Sequence, residues 1–101
     1  MKFCFDIDGT LCSTNCHYKN AEPFIEVIDK VNALYKNNEI ILFTSRGYKS
    51  GIDWREFTES QLKGWNVNYH QLILGKPQAD LYIDDRCINI DDWCKKNGLN
   101  K

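Results

Sequence analysis

Two aspartates, Asp6 and Asp8, stand two residues apart at the end of an apolar run, in the stretch FDIDGTL (Phe5–Leu11). Like charges so close make each other harder to ionise unless something compensates. Asp84 and Asp85 close a second apolar run, LYIDD, and Thr44, Ser45 and Arg46 follow a third, ILF. Lys76 lies between Gly75 and Pro77. Singly, these are ordinary features: DxDG suits an acidic turn, and Asp84-Asp85 suits a helix cap. Gathered on one rim, four carboxylates call for a cation, and oxygen ligands favour Mg²⁺ over zinc. Magnesium held by carboxylates is a usual partner of phosphate. Lys76 can neutralise a phosphate oxygen and Thr44 can hydrogen-bond to another. Backbone N–H groups of the Ile7–Thr10 turn can point at the same centre, with Gly9 leaving room for close approach.

Whether these residues meet depends on the elements that carry them. Four short runs are rich in strand formers: Lys2–Ile7, Glu39–Thr44, His70–Leu74 and Ala79–Asp84. Between them, Phe24, Val27, Ile28, Val31, Leu34 and Tyr35 recur at helical spacing, with Pro23 suited to the first turn. Trp54, Phe57, Leu62 and Trp65 mark a second helix closed by Gly64 or Asn66. Ile88, Ile90, Trp93 and Cys94 mark a third that ends before Gly98. Alternating strands and helices imply an α/β fold with a mainly parallel sheet covered on both faces. Ligands bind such sheets beyond the carboxyl ends of the strands, where all the polar groups above fall.

The chain has 101 residues, which suits a single domain over 1–101. It is 43% apolar and 27% charged with a net charge of −1, a globular composition. The near-neutral balance counts against a nucleic-acid partner, and no apolar run is long enough to span a membrane. With no export signal in MKFCFDIDG, a cytoplasmic location is expected. Five cysteines, an odd number without CxxC, read as reduced thiols. Cys12, Cys16 and His17 fit no common zinc spacing.

FDIDGTL resembles the first motif, hhhDxDGT, of the haloacid dehalogenase-like (HAD) phosphohydrolases. ILFTS is similar to their second motif, Lys76 to the lysine of the third, and LYIDD to the acidic fourth. The resemblance runs from Lys2 to about Trp93. Lys76 lies only eight positions before Asp84, and no insertion is large enough for a cap; Cys12–Glu22 alone could form a flap. FTSRG and GKPQADLYIDD are similar to the small capless members that act as capsular polysaccharide biosynthesis phosphatases. IDDRCINIDDWCKKNG more briefly resembles polynucleotide kinase phosphatase domains.

The resemblance implies a three-layer Rossmann-like fold without a cap, and a Mg²⁺-dependent phosphomonoester hydrolase acting on a small phosphorylated substrate such as a sugar phosphate. It implies Asp6 as nucleophile, forming an aspartyl phosphate. Asp8 serves as acid and base, with a raised pKa beside Asp6. Thr44 and Lys76 hold the phosphoryl group. The implied metal ligands are Asp6, the backbone carbonyl of Asp8, and one of Asp84 and Asp85. Gly9, Thr10, Ser45 and Arg46 are candidate substrate contacts, Arg46 reaching a second anion or lying at the surface. A nucleic-acid 3′-phosphatase, a phosphotransferase and a non-catalytic binding module stay open as alternatives, as does a homo-oligomer that shelters the site.

Overall fold

Burial alternates along Glu39–Thr44: Ile40, Leu42 and Thr44 are buried while their neighbours are less so. That period of two is what a strand produces. The computed structural model describes all 101 residues. It contains three strands, β1 (Lys2–Phe5), β2 (Glu39–Thr44) and β3 (Gln71–Leu74), and three helices, α1 (Ile25–Tyr35), α2 (Arg55–Gly64) and α3 (Ile90–Asn97). The strands form a parallel sheet in the order β1-β2-β3. Phe5 lies opposite Leu42, and Leu42 opposite Leu72, so the carboxyl ends share one rim. The architecture is α/β and consistent with a Rossmann-like fold.

The core joins Phe5, Ile7 and Leu11 to Val27, Ile28 and Val31 of α1, Ile40 and Leu42 of β2, and Leu62 of α2. Trp93 of α3 meets Phe5 edge-on at 5.4 Å between centroids. Asn32 ties α1 to the segment after α2, donating to Asn66 O and accepting from Asn68 N, both at 2.8 Å. His70 is structural: its Nδ1 accepts the Ile40 N–H at 3.0 Å and its ring stacks on Tyr35. Gly98 closes α3 in the left-handed conformation, at φ 65°. Pro23 precedes α1 and bridges to Cys12 instead of starting the helix.

One expected element is missing. Ala79–Asp84 forms no strand, and β1 remains an edge of the sheet. Local bonds hold this segment in another shape. The Tyr82 hydroxyl donates to Pro77 O at 2.6 Å and accepts from Ala79 N at 3.1 Å, and its ring lies under the Lys76 ammonium. Side-chain bonds of this kind compete with a sheet ladder. Leu81 and Ile83 are left 77% and 93% exposed. No helix is long and apolar enough to cross a membrane.

Candidate active site

Asp6 follows directly from the buried Phe5 at the carboxyl end of β1. Its Oδ1 accepts the Ile7 N–H at 2.8 Å. Its Oδ2 faces the Lys76 ammonium at 3.3 Å. Burial pushes the Asp6 carboxyl above the usual carboxylate range; the Ile7 N–H and Lys76 pull the other way without cancelling it. Lys76 arrives from the loop just after β3. Its backbone N–H donates to Thr44 O at 3.1 Å, extending the β2–β3 contact one step beyond the strand.

Asp8 has a different partner. Arg46 Nε donates to its Oδ2 at 2.9 Å and Nη2 to its Oδ1 at 2.8 Å, a planar fork on both oxygens. Nη1 of the same guanidinium donates to Thr58 Oγ1 at 3.2 Å and to Gln61 Oε1 at 2.8 Å. The Tyr18 ring covers it, 4.5 Å from Cζ to centroid. Arg46 is 1% exposed. Burial alone would lower the pKa of the guanidinium, but the Asp8 carboxylate outweighs it and raises it. Thr44, also buried, accepts the Arg46 N–H on its hydroxyl at 3.1 Å. Gly47 follows at φ 83°, and a Cβ there would run into the backbone carbonyl of Ile52. The turn that buries Arg46 therefore needs glycine.

The structure thus brings Asp6, Asp8, Thr44, Arg46 and Lys76 to one end of the sheet, and several expectations change. Arg46 is buried rather than at the surface, and its guanidinium is directed at Asp8, Thr58 and Gln61. Asp8 does not face the charge of Asp6 alone, because a buried cation holds both its oxygens. The Gly9 N–H donates to Cys12 O at 2.8 Å and the Thr10 N–H to Ile7 O at 3.0 Å, so neither amide is left for a substrate. The Ser45 side chain makes no hydrogen bond and is half-buried at the start of the same turn.

Asp84 and Asp85 stand apart from this group. Asp84 accepts the Arg86 N–H at 3.1 Å, which lowers its pKa. Asp85 meets Arg86 loosely at 3.9 Å, its side chain 84% exposed. Of the implied magnesium ligands, Asp6 is faced by Lys76 at 3.3 Å, and no three acidic, histidine or cysteine side chains converge in this arrangement. Cys12 is buried, with its thiol pushed up to about 12 by burial and then by the Asp8 charge, while Cys16 is exposed beside Ser13.

Thr58 and Gln61 escape motif reading altogether. They are polar positions three apart on α2, among the apolar residues Phe57 and Leu62, and that interruption is their only mark in the sequence. Comparison with known proteins adds a likeness of fold. No family model matches the chain, and no curated protein matches it. A crystal structure of a protein from Vibrio cholerae is similar at a TM-score of 0.83 and 27% identity, over 91% of this chain and 85% of that one. The chain is therefore similar over nearly its whole length to a solved bacterial protein, with an α/β sheet as the common ground.

Proposed function

We propose that this chain is a HAD-like, capless phosphomonoester hydrolase of three-layer design, acting on a small phosphorylated metabolite such as a sugar phosphate. One observation carries the reading: a carboxylate at the end of β1, fixed by its neighbour's N–H, faces a lysine at 3.3 Å with a second carboxylate two residues on. Asp6 attacks phosphorus in line, the bond to the alcohol oxygen breaks, and an aspartyl phosphate forms. Lys76 draws charge from the phosphoryl oxygens, and the Thr44 hydroxyl, which accepts from Arg46 N, keeps its own hydrogen to donate. The leaving oxygen takes a proton from Asp8 or from water. Asp8 then accepts a proton from the water that attacks the aspartyl phosphate, returning free phosphate and Asp6. The motifs imply magnesium, which when bound would draw charge from the phosphoryl oxygens; no step here runs through it.

The test is release of inorganic phosphate from sugar phosphates, an aryl phosphate and a 3′-phosphorylated oligonucleotide. Asp6→Asn should lower release by about a thousandfold or more, as loss of a nucleophile does. Equal release by both proteins across the panel would leave a binding module as the better reading.

A further inference from the structure

The Asp8–Arg46 pair does not end at the guanidinium. Gln61 accepts from Arg46 through Oε1 at 2.8 Å and donates through Nε2 to the backbone carbonyl of Tyr18 at 2.7 Å. The Tyr18 ring lies on the guanidinium and also meets Trp54 edge-on at 4.9 Å. Tyr18 opens the short 3₁₀ turn Tyr18–Asn20 within the flap. The flap is clipped at its base, where Ser13 N donates to Glu22 O and Glu22 N to Ser13 Oγ, both at 2.9 Å. A hollow of about 330 Å³ beside it is lined by Cys16, His17, Tyr18, Ser50, Ile52 and Trp54. Whatever fills this hollow touches Tyr18.

We propose that Arg46 is a positioning residue, and that Arg46, Gln61 and Tyr18 form a relay through which the flap sets the place of the Asp8 carboxylate. Arginine suits the task because its planar fork can hold a carboxylate on one side and two neutral acceptors on the other; a lysine ammonium has no such fork. Being buried, Arg46 acts through Asp8 and not on the substrate. The kinetic part of this inference rests on the phosphatase reading; the structural part does not.

Two variants test it, so that a folding failure in one leaves the other. Gln61→Leu cuts the hydrogen-bonded link to the Tyr18 carbonyl while sparing both Arg46–Asp8 bonds. Arg46→Lys removes the fork. With p-nitrophenyl phosphate, kcat should fall about tenfold in the first and up to about a hundredfold in the second, as displaced supporting groups do. KM should stay within about twofold, because binding is untouched. In an Asp8→Asn background neither change should lower kcat further. Losses that simply add, or that fall on KM, would overturn the relay. A second readout needs no turnover: amide exchange at Asn20 and Ala21 should quicken at least about tenfold in Asp8→Asn and in Arg46→Lys. Unchanged exchange would overturn the link between Asp8 and the flap. If the wild-type protein releases no phosphate from any substrate, the phosphatase reading fails, and exchange alone decides the relay.

Discussion

Arg46 and Asp8, 38 residues apart in sequence, meet through two hydrogen bonds of 2.9 and 2.8 Å, with the arginine side chain wholly out of solvent. Removing the anion would leave a buried cation uncompensated, which costs about 3–5 kcal/mol. Asp8→Ala is therefore expected to destabilise the fold by about 3 kcal/mol in urea unfolding. Asp6→Asn is expected to cost nothing comparable. Similar losses at the two positions would contradict the pairing.

Asp6 gives a pH prediction of a definite sign. Burial raises its carboxyl above the unfolded value near 3.8, even against the Ile7 N–H and Lys76. Protonation thus favours the folded state: this contribution is fully present below pH 3.8 and is lost as pH rises through the raised value. Asp6→Asn should accordingly raise Tm by on the order of a few degrees at pH 7 and lose that advantage near pH 3. An advantage of the same size at both pH values would argue against the desolvation account. Since attack requires ionised Asp6, phosphate release should decline on the acid side, with its midpoint above the ordinary aspartate range.

The thiols should separate by burial. Cys16 and Cys87 are exposed, Cys4 is exposed but raised chiefly by partial desolvation, and Cys12 and Cys94 are buried. Iodoacetamide at pH 8, followed by mass spectrometry, should label Cys16 and Cys87 first and Cys4 next. Cys12, with its thiol near 12, should react at least about a hundredfold more slowly than Cys16, since the thiolate is the nucleophile. Early labelling of Cys12 in the folded protein would mean that its packing against Ile7 and Asp8 is wrong.

A magnesium requirement would need Asp84 or Asp85 to bind beside Asp6, and the segment that carries them is held by bonds within its own turn and not by the sheet. Leu81 and Ile83 are exposed, and strand-forming residues there lie unpaired while β1 has an open edge. Millimolar Mg²⁺ is expected to slow amide exchange over Leu81–Asp85, and Asp84→Asn with Asp85→Asn to remove that protection. Exchange indifferent to Mg²⁺, alongside phosphate release that survives EDTA, would remove magnesium from the reading.

Strong local patterns made much of the fold legible. The apolar spacing of Phe24 to Tyr35 gave α1 to within a residue, and EIILFT gave β2 at both ends. Ala79–Asp84 misled because strand propensity describes fitness for a half-buried surface, and here Tyr82 bonds to its own turn instead. At the site, Asp6 and Lys76 could be found from type and position, since each lies at a strand end. The burial of Arg46 could not. It depends on Thr58 and Gln61 meeting the guanidinium from α2 and on Tyr18 closing over it, contacts between segments that share no local pattern.

Lys76 is moored by its amide to Thr44 O while its ammonium reaches Asp6, so one residue spans the rim from the third strand across the second to the first. Only Gly75 separates it from the end of β3. This one-residue link acts as a ruler. Surface loops usually absorb an extra residue with little effect, but here a single insertion would carry the ammonium away from its carboxylate, and the connection tolerates rewriting of its letters better than a change in their number.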